Sequence, residues 1–179
     1  MSTKVTLKNV RVSYVNVFKA KGMEGQEPKY SVQVILPKDH PQVKEVNNAI
    51  LEAGKEKFAK LINGNKFPAK LKNPLRDGDE EMEDEPETYG DAYFFNANNL
   101  RRPLVIDRDK TPITEDDNII YSGCYCNVVV EFYAFDVTGN KGVAASLGGV
   151  QFKADGEALG GRGATVDDFD DEEDDDDDI

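Results

Sequence analysis

Tryptophan is absent from this 179-residue chain, histidine occurs once and cysteine twice. One histidine, His40, is too few for the usual zinc sets and for most histidine-based triads. It sits in KDHP at an expected helix start and reads as a surface residue. Cys124 and Cys126 stand two apart in a strand-like run, so they point to one face and are poorly placed to bridge each other. They are expected to be reduced core thiols of a cytoplasmic protein. No apolar run reaches the ~18 residues of a membrane span. The opening stretch MSTKVTLKNV has no apolar region of the secretory kind. Neither GxxxxGK(S/T) nor GxGxxG is present, and the single GGRG at Gly160 to Gly163 is weak by itself. Carboxylates are plentiful but lie in solvated runs, where burial does not tune them for catalysis. No cofactor or metal is implied, and an enzyme is not expected.

Basic residues are also missing from the last stretch. Of the thirteen residues from Asp167 to Ile179, eleven are acidic and none is Lys or Arg. Mutual repulsion and the lack of apolar residues predict a disordered, solvated tail. A second run, Asp77 to Glu87, holds eight acids and no base, and is expected to be a mobile loop. These runs account for the formal charge of −13; residues 1 to 76 hold 15 Lys and Arg against 6 Asp and Glu. The low pI therefore hides a basic domain with acidic appendages, a distribution that suits nucleic acid. The bland alternative is a tail that only maintains solubility.

The remaining pattern predicts a mainly β protein. Val5 to Val17 alternates as a strand, with an odd step at Lys8 and Asn9 that suggests a bulge. Phe18 to Pro28 reads as a basic hairpin loop, and Lys29 to Leu36 as a second strand with Tyr30, Val32, Val34 and Leu36 inward. Asp39 and Pro41 open an amphipathic helix whose apolar stripe runs from Val43 to Ile62 and stops at Asn63-Gly64. Lys66 to Arg76 holds two prolines and cannot be a helix or central strand. Further strands are expected at Ala92 to Ala97, Pro103 to Ile106, Ser122 to Phe135 (the longest) and Gly142 to Phe152. Five or six curled strands with one inserted helix fit a barrel like the oligonucleotide/oligosaccharide-binding (OB) fold. A mixed α+β sandwich is the competing architecture. The expected division is a binding domain at 1–153, a Gly-rich linker at 154–166 and the tail at 167–179.

Single strands are held by cations tracking phosphates and by rings stacking on bases, at ~1–3 kcal/mol per base. The phosphate candidates are Arg11, Lys19, Lys21, Lys66, Lys70, Lys72, Arg76, Arg101 and Arg102. The stacking candidates are Tyr93 and Phe95 on one strand and Tyr125 and Tyr133 on another. The last two share a face with Asn127 and Glu131. Each ring could equally pack in the core, and each cation could be an ordinary surface charge.

The blocks VRVSYVNVF, KYSVQVILPK, NPLRDGDE, YFFNANNLRRPLVID, YSGCYCNVVVEFYAF and GNKGVAASLGGVQFKADGE follow one another along nearly the whole chain. In that order the sequence resembles the phage single-stranded DNA-binding proteins with an OB fold and an acidic C-terminal tail. The resemblance implies a cytoplasmic role in the infected bacterial host, coating DNA strands in replication or recombination and contacting replication proteins through the tail. The tail ends at Ile179 without a Pro-Phe tip, so recruitment of host proteins through such a tip is not expected. Whether the protein forms a homo-oligomer stays open. The rival reading is an acidic interaction protein, a DNA mimic or chaperone holding basic partners. The basic balance of residues 1 to 76 argues against it. A metal-dependent nuclease is a third class, which Mg²⁺-dependent cleavage would reveal.

Overall fold

The computed structural model describes residues 3–22, 24–62, 64 and 66–159. The acidic tail from Asp167 and the linker beyond Leu159 lie outside the described residues. In chain order the elements are β1 (Lys4–Lys21), β2 (Lys29–Pro37), α1 (Val43–Phe58), β3 (Arg76–Asp77), α2 (Gly78–Glu81), α3 (Pro86–Tyr89), β4 (Ala92–Asn99) and β5 (Leu104–Ile106). A short 3₁₀ turn (Glu115–Asp117), β6 (Tyr125–Val137) and β7 (Asn140–Ala154) complete them.

Five of these strands close a barrel. β1 pairs antiparallel with β2 and with β6, β2 with β4, and β6 with β7. The ring closes where β4 meets β7 in parallel, at Ala97↔Ala145 and Asn98↔Ser146. Antiparallel neighbours with one parallel closure, in the ring order β1-β2-β4-β7-β6, make this an OB barrel. β3 and β5 are short additions to β4 and β7.

β1, not β6, is the longest strand, at 18 residues. It serves two neighbours because it bends. The first bend is the expected bulge: pairing with β6 slips between Leu7 and Val10, and Asn9 takes φ 55°. Asparagine tolerates that left-handed conformation, and its N–H donates to Asn127 Oδ1 at 2.9 Å. The bulge keeps Val5, Leu7, Val10 and Val12 all facing inward, at 1% exposure or less. They meet Val32, Val34, Leu36, Phe95, Cys126, Val128, Val130, Phe132 and Leu147 in one core.

α1 plugs the barrel end with Val46, Ala49, Ile50 and Ala53. It starts after Gln42 rather than at Asp39 and ends at Phe58, short of the stripe's last apolar residues. His40 fastens this entry: its Nε2–H donates to the Lys8 carbonyl at 2.8 Å, and its Nδ1 accepts the Gln42 N–H at 3.0 Å. Leu71 and Ile62 form a satellite cluster with Phe58, beside the bridge that Lys72 makes to Gly142.

The acidic run is not a loop. Asp77 caps α2 by accepting the Asp79 N–H at 2.9 Å, and Pro86 opens α3. Tyr89 and Met82 then pack on Ile35, Ala92 and Phe94, outside the barrel. Gly78 is needed for that closure, since a Cβ there would lie 2.1 Å from the Tyr89 carbonyl oxygen. The local sequence signal of charge was overridden by two apolar anchors and a cation, Lys38.

Candidate nucleic-acid interface

The outer face of β1, β2 and β4 divides into two halves. Near α1 it is covered by α2, α3 and Leu159. Toward the β1–β2 hairpin it is open and polar. Ser31, Asn96 and Asn98 alternate there with the core residues of their strands. Ser13 and Gln33, register partners between the two halves, are both buried, and Gln33 is covered by Tyr89 of α3; toward the hairpin, Asn16 Nδ2 donates to Ser31 Oγ at 3.4 Å. This half is a firm floor with few charges on it.

Cations stand at its rim. Lys21 and Lys29 are direct register partners at the hairpin neck, and together with Ser31 and Asn98 they line a groove that Gln26 and Glu27 also border. Like charges placed opposite each other on a ladder repel, and neither lysine has an ion pair among the described residues. Next to Lys29, the Arg102 guanidinium sits 5.6 Å from the centroid of the Tyr30 ring. The alternation of β2 assigns Tyr30 to the core face, but the residue is only half-buried. It lies at the barrel mouth, where the inward face of the strand reaches solvent. Lys29 and Tyr30 carry no sequence signal of their own; only the hairpin register brings them to Lys21.

The cationic candidates scatter over five places, one of them Arg11 beside Tyr125. Lys21, Arg101 and Arg102 gather at the hairpin end and are exposed. Lys19 lies further up β1 and is paired with Glu115 at 3.3 Å. Lys66, Lys70 and Lys72 are exposed near the opposite end, where Lys72 joins β7. Arg76 bonds Glu81 at 2.7 Å and covers the Phe94 ring at 4.9 Å.

The aromatic set needs correction. Phe95 is fully buried, its ring 5.6 Å from Phe132, so it cannot meet a base. The alternation that pairs it with Tyr93 is right, but that face is the barrel interior. Tyr93 is half-buried against the core and is capped by the Lys38 ammonium at 5.4 Å. Tyr133 is 42% exposed but stands on the outer side of β6, away from the β1–β2–β4 face.

Arg11 and Tyr125 do come together, 5.9 Å apart, in a structural clamp. Arg11 Nε donates to the Gly123 carbonyl at 3.1 Å, and its Nη2 donates to the Glu157 carbonyl. The chain leaving β7 is thereby strapped over β1. Tyr121 Oη accepts the Gly156 N–H at 3.0 Å and lies 2.9 Å from Asp155 Oδ1. Leu159 N–H donates to Ser122 O at 2.9 Å, and the Leu159 side chain reaches the Ile35–Phe94 cluster. Gly123 makes room for the strap: it takes φ +113°, and a Cβ would lie 2.2 Å from the Glu157 carbonyl oxygen.

Two titrating groups report the local electrostatics. Lys38 Nζ lies 2.9 Å from Asp77 and 2.8 Å from Asp79. Its hydrogen bonds hold both carboxyls below the usual carboxylate range, and the two acids raise the ammonium in return. In the barrel, Cys124 and Cys126 are free thiols with Sγ atoms 3.7 Å apart. That contact, with burial, pushes the Cys126 thiol well above the ordinary range. Among the described residues no group of His, Cys, Asp and Glu is arranged to hold a metal ion.

The chain matches the family model described as Enterobacter phage Enc34, ssDNA-binding protein, over residues 3–179. It is 40% identical over 174 residues to protein p50 of Acyrthosiphon pisum secondary endosymbiont phage 1, covering 93% of this chain and 92% of that one. Its structure is similar to that of the single-stranded DNA-binding protein from bacteriophage Enc34 in complex with ssDNA, with a TM-score of 0.76 and 27% identity. The match covers 88% of this chain and 90% of that one. Gp2.5, a single-stranded DNA-binding protein of bacteriophage T7, shares the fold at a TM-score of 0.65 and 14% identity, over 90% and 97% of the two chains.

Proposed function

The chain belongs to the Enterobacter phage Enc34 ssDNA-binding protein family, and on that premise we propose that it binds single-stranded DNA without sequence preference. It makes or breaks no covalent bond in doing so. Its place of action is the cytoplasm of an infected bacterium, in phage DNA replication or recombination. The observation that carries this reading is the unpaired apposition of Lys21 and Lys29 beside Arg102. Two like charges held together at the edge of the face that OB folds use for oligonucleotides are relieved by a phosphate between them. The polar floor of Ser31, Asn96 and Asn98 offers hydrogen bonds to any base edge and so does not select among bases.

The acidic tail is proposed to compete with DNA for this face and to contact replication proteins when displaced. The strap supports this reading. Leu159 is anchored on the outer face, and the acidic run starts only eight residues further along the sequence, at Asp167. Its eleven acids act at a tether-limited local concentration of about millimolar.

The test is a titration of labelled oligo-dT and of a duplex at two salt concentrations, with the full chain and with the chain ending at Val166. The full chain should bind oligo-dT with an affinity that falls linearly on a log-log plot against salt. Removing the tail should tighten binding mostly at low salt. Failure of both proteins to bind oligo-dT overturns the DNA reading; equal affinities at low salt overturn only the tail's part in it.

A further inference from the structure

We infer that Tyr14 is a base-stacking platform, held out for an unpaired nucleobase by a strained bulge in β1; this rests on the single-strand reading above.

Tyr14 breaks two rules at once. It takes φ 47°, in the left-handed region that a bulky residue rarely enters. It is also 57% exposed, although it lies inside an 18-residue strand. The register explains how. From Ser13 to Asn16, β1 advances three residues while β2 moves two, from Gln33 to Ser31. One residue is therefore extra, and the phase shows which. Ser13 and Asn16 keep their partners on β2, and Val15 and Val17 pack on the core. Tyr14 is the residue pushed out.

The bulge needs an extra residue but not a tyrosine. Glycine would take this φ without strain, and asparagine with little. A tyrosine instead adds backbone strain and leaves an apolar ring in water. No hydrogen bond or ring contact holds its side chain among the described residues. Strain retained without a structural return marks a functional position, and bulges commonly re-aim a side chain beside a site. Among the described residues, Tyr14 and Tyr133 are the aromatic ones of the large exposed apolar side chains, and Tyr14 is the one on β1. There it flanks the polar floor whose far rim carries Lys21 and Lys29. A ring in that place supplies the stacking that the lysines and amides cannot.

The absence of tryptophan makes the test direct. Tyr14→Trp introduces a single tryptophan, whose fluorescence should be quenched as oligo-dT saturates the protein. Tyr14→Gly should bind labelled oligo-dT about five- to a hundredfold more weakly, with an unchanged salt slope and a melting temperature no lower than that of the natural chain. Tyr14→Phe should bind normally. Unquenched fluorescence with oligo-dT bound, or natural affinity in Tyr14→Gly, overturns the assignment and leaves the single-strand reading intact. If the natural chain fails to bind oligo-dT, both fall. If Tyr14→Gly does not fold, the tryptophan signal decides alone.

Discussion

The Tyr89 hydroxyl donates to Gln33 Oε1, a buried pair separated by 56 positions in sequence. Gln33 belongs to the barrel wall and Tyr89 to the acidic segment, so this bond fastens the one to the other. Tyr89 also stacks edge-on against Phe94, with centroids 5.1 Å apart. Removing the hydroxyl in Tyr89→Phe strands a buried amide oxygen. The expected loss is about 1–3 kcal/mol of stability, read from the urea midpoint. Adding Gln33→Leu should recover part of it, because the polar atom left without a partner is then gone.

Lys38 holds the same segment from its start, and the hold is pH-dependent. Asp77 and Asp79 have lowered pKa values in the folded protein, chiefly through the Lys38 hydrogen bonds. Their contribution is thus complete above the ordinary carboxylate pKa and is lost as pH falls toward the lowered values. The protection of amides across 78–91, taken against the intrinsic exchange rate at each pH, should fall on acidification to about pH 3. In Lys38→Met that protection should already be low at neutral pH and change little further with acid.

Lys21 and Lys29 should govern the salt dependence. Each Lys→Ala variant is expected to reduce the log-log salt slope for oligo-dT by about 0.7 and to leave the fold unchanged. Because like charges repel across the hairpin neck, each variant should be as stable as the natural chain or slightly more so. Lys66→Ala, at the other end of the barrel, is the control, and its slope should stay the same. A shift there instead would move the phosphate path away from the hairpin.

Phe95 separates stacking from packing. Its ring fills the barrel against Phe132, so Phe95→Ala should cost about 3–5 kcal/mol of stability. The folded fraction should bind oligo-dT with natural affinity. Cys126→Ser should likewise act on stability alone, by about 1–3 kcal/mol, because it buries a hydroxyl in place of a thiol. Denaturation curves paired with binding curves check both.

The sequence by itself determined the barrel's wall and its plug. Alternation at Val128, Val130 and Phe132 and at Val32, Val34 and Leu36, the slip at Asn9 and the stripe from Val46 to Ala53 are all local patterns. A two- or three-and-a-half-residue period shows in one segment without knowledge of the others. Only the tertiary structure decided what each face meets. The face shared by Tyr93 and Phe95 is legible in the chain, but that it is the inside depends on β4 closing against β7. Arg11 reads as a free cation until the strap at Glu157, 146 residues away, arrives to engage it. The run from Asp77 to Glu87 reads as solvated because its charge is local, whereas its anchors, Lys38, Gln33 and Ile35, lie some forty to fifty positions earlier. Tyr14 looks like one more residue of an alternating strand. The extra residue that turns it outward shows only when β1 is laid against β2, since register belongs to a pair of strands and not to either one.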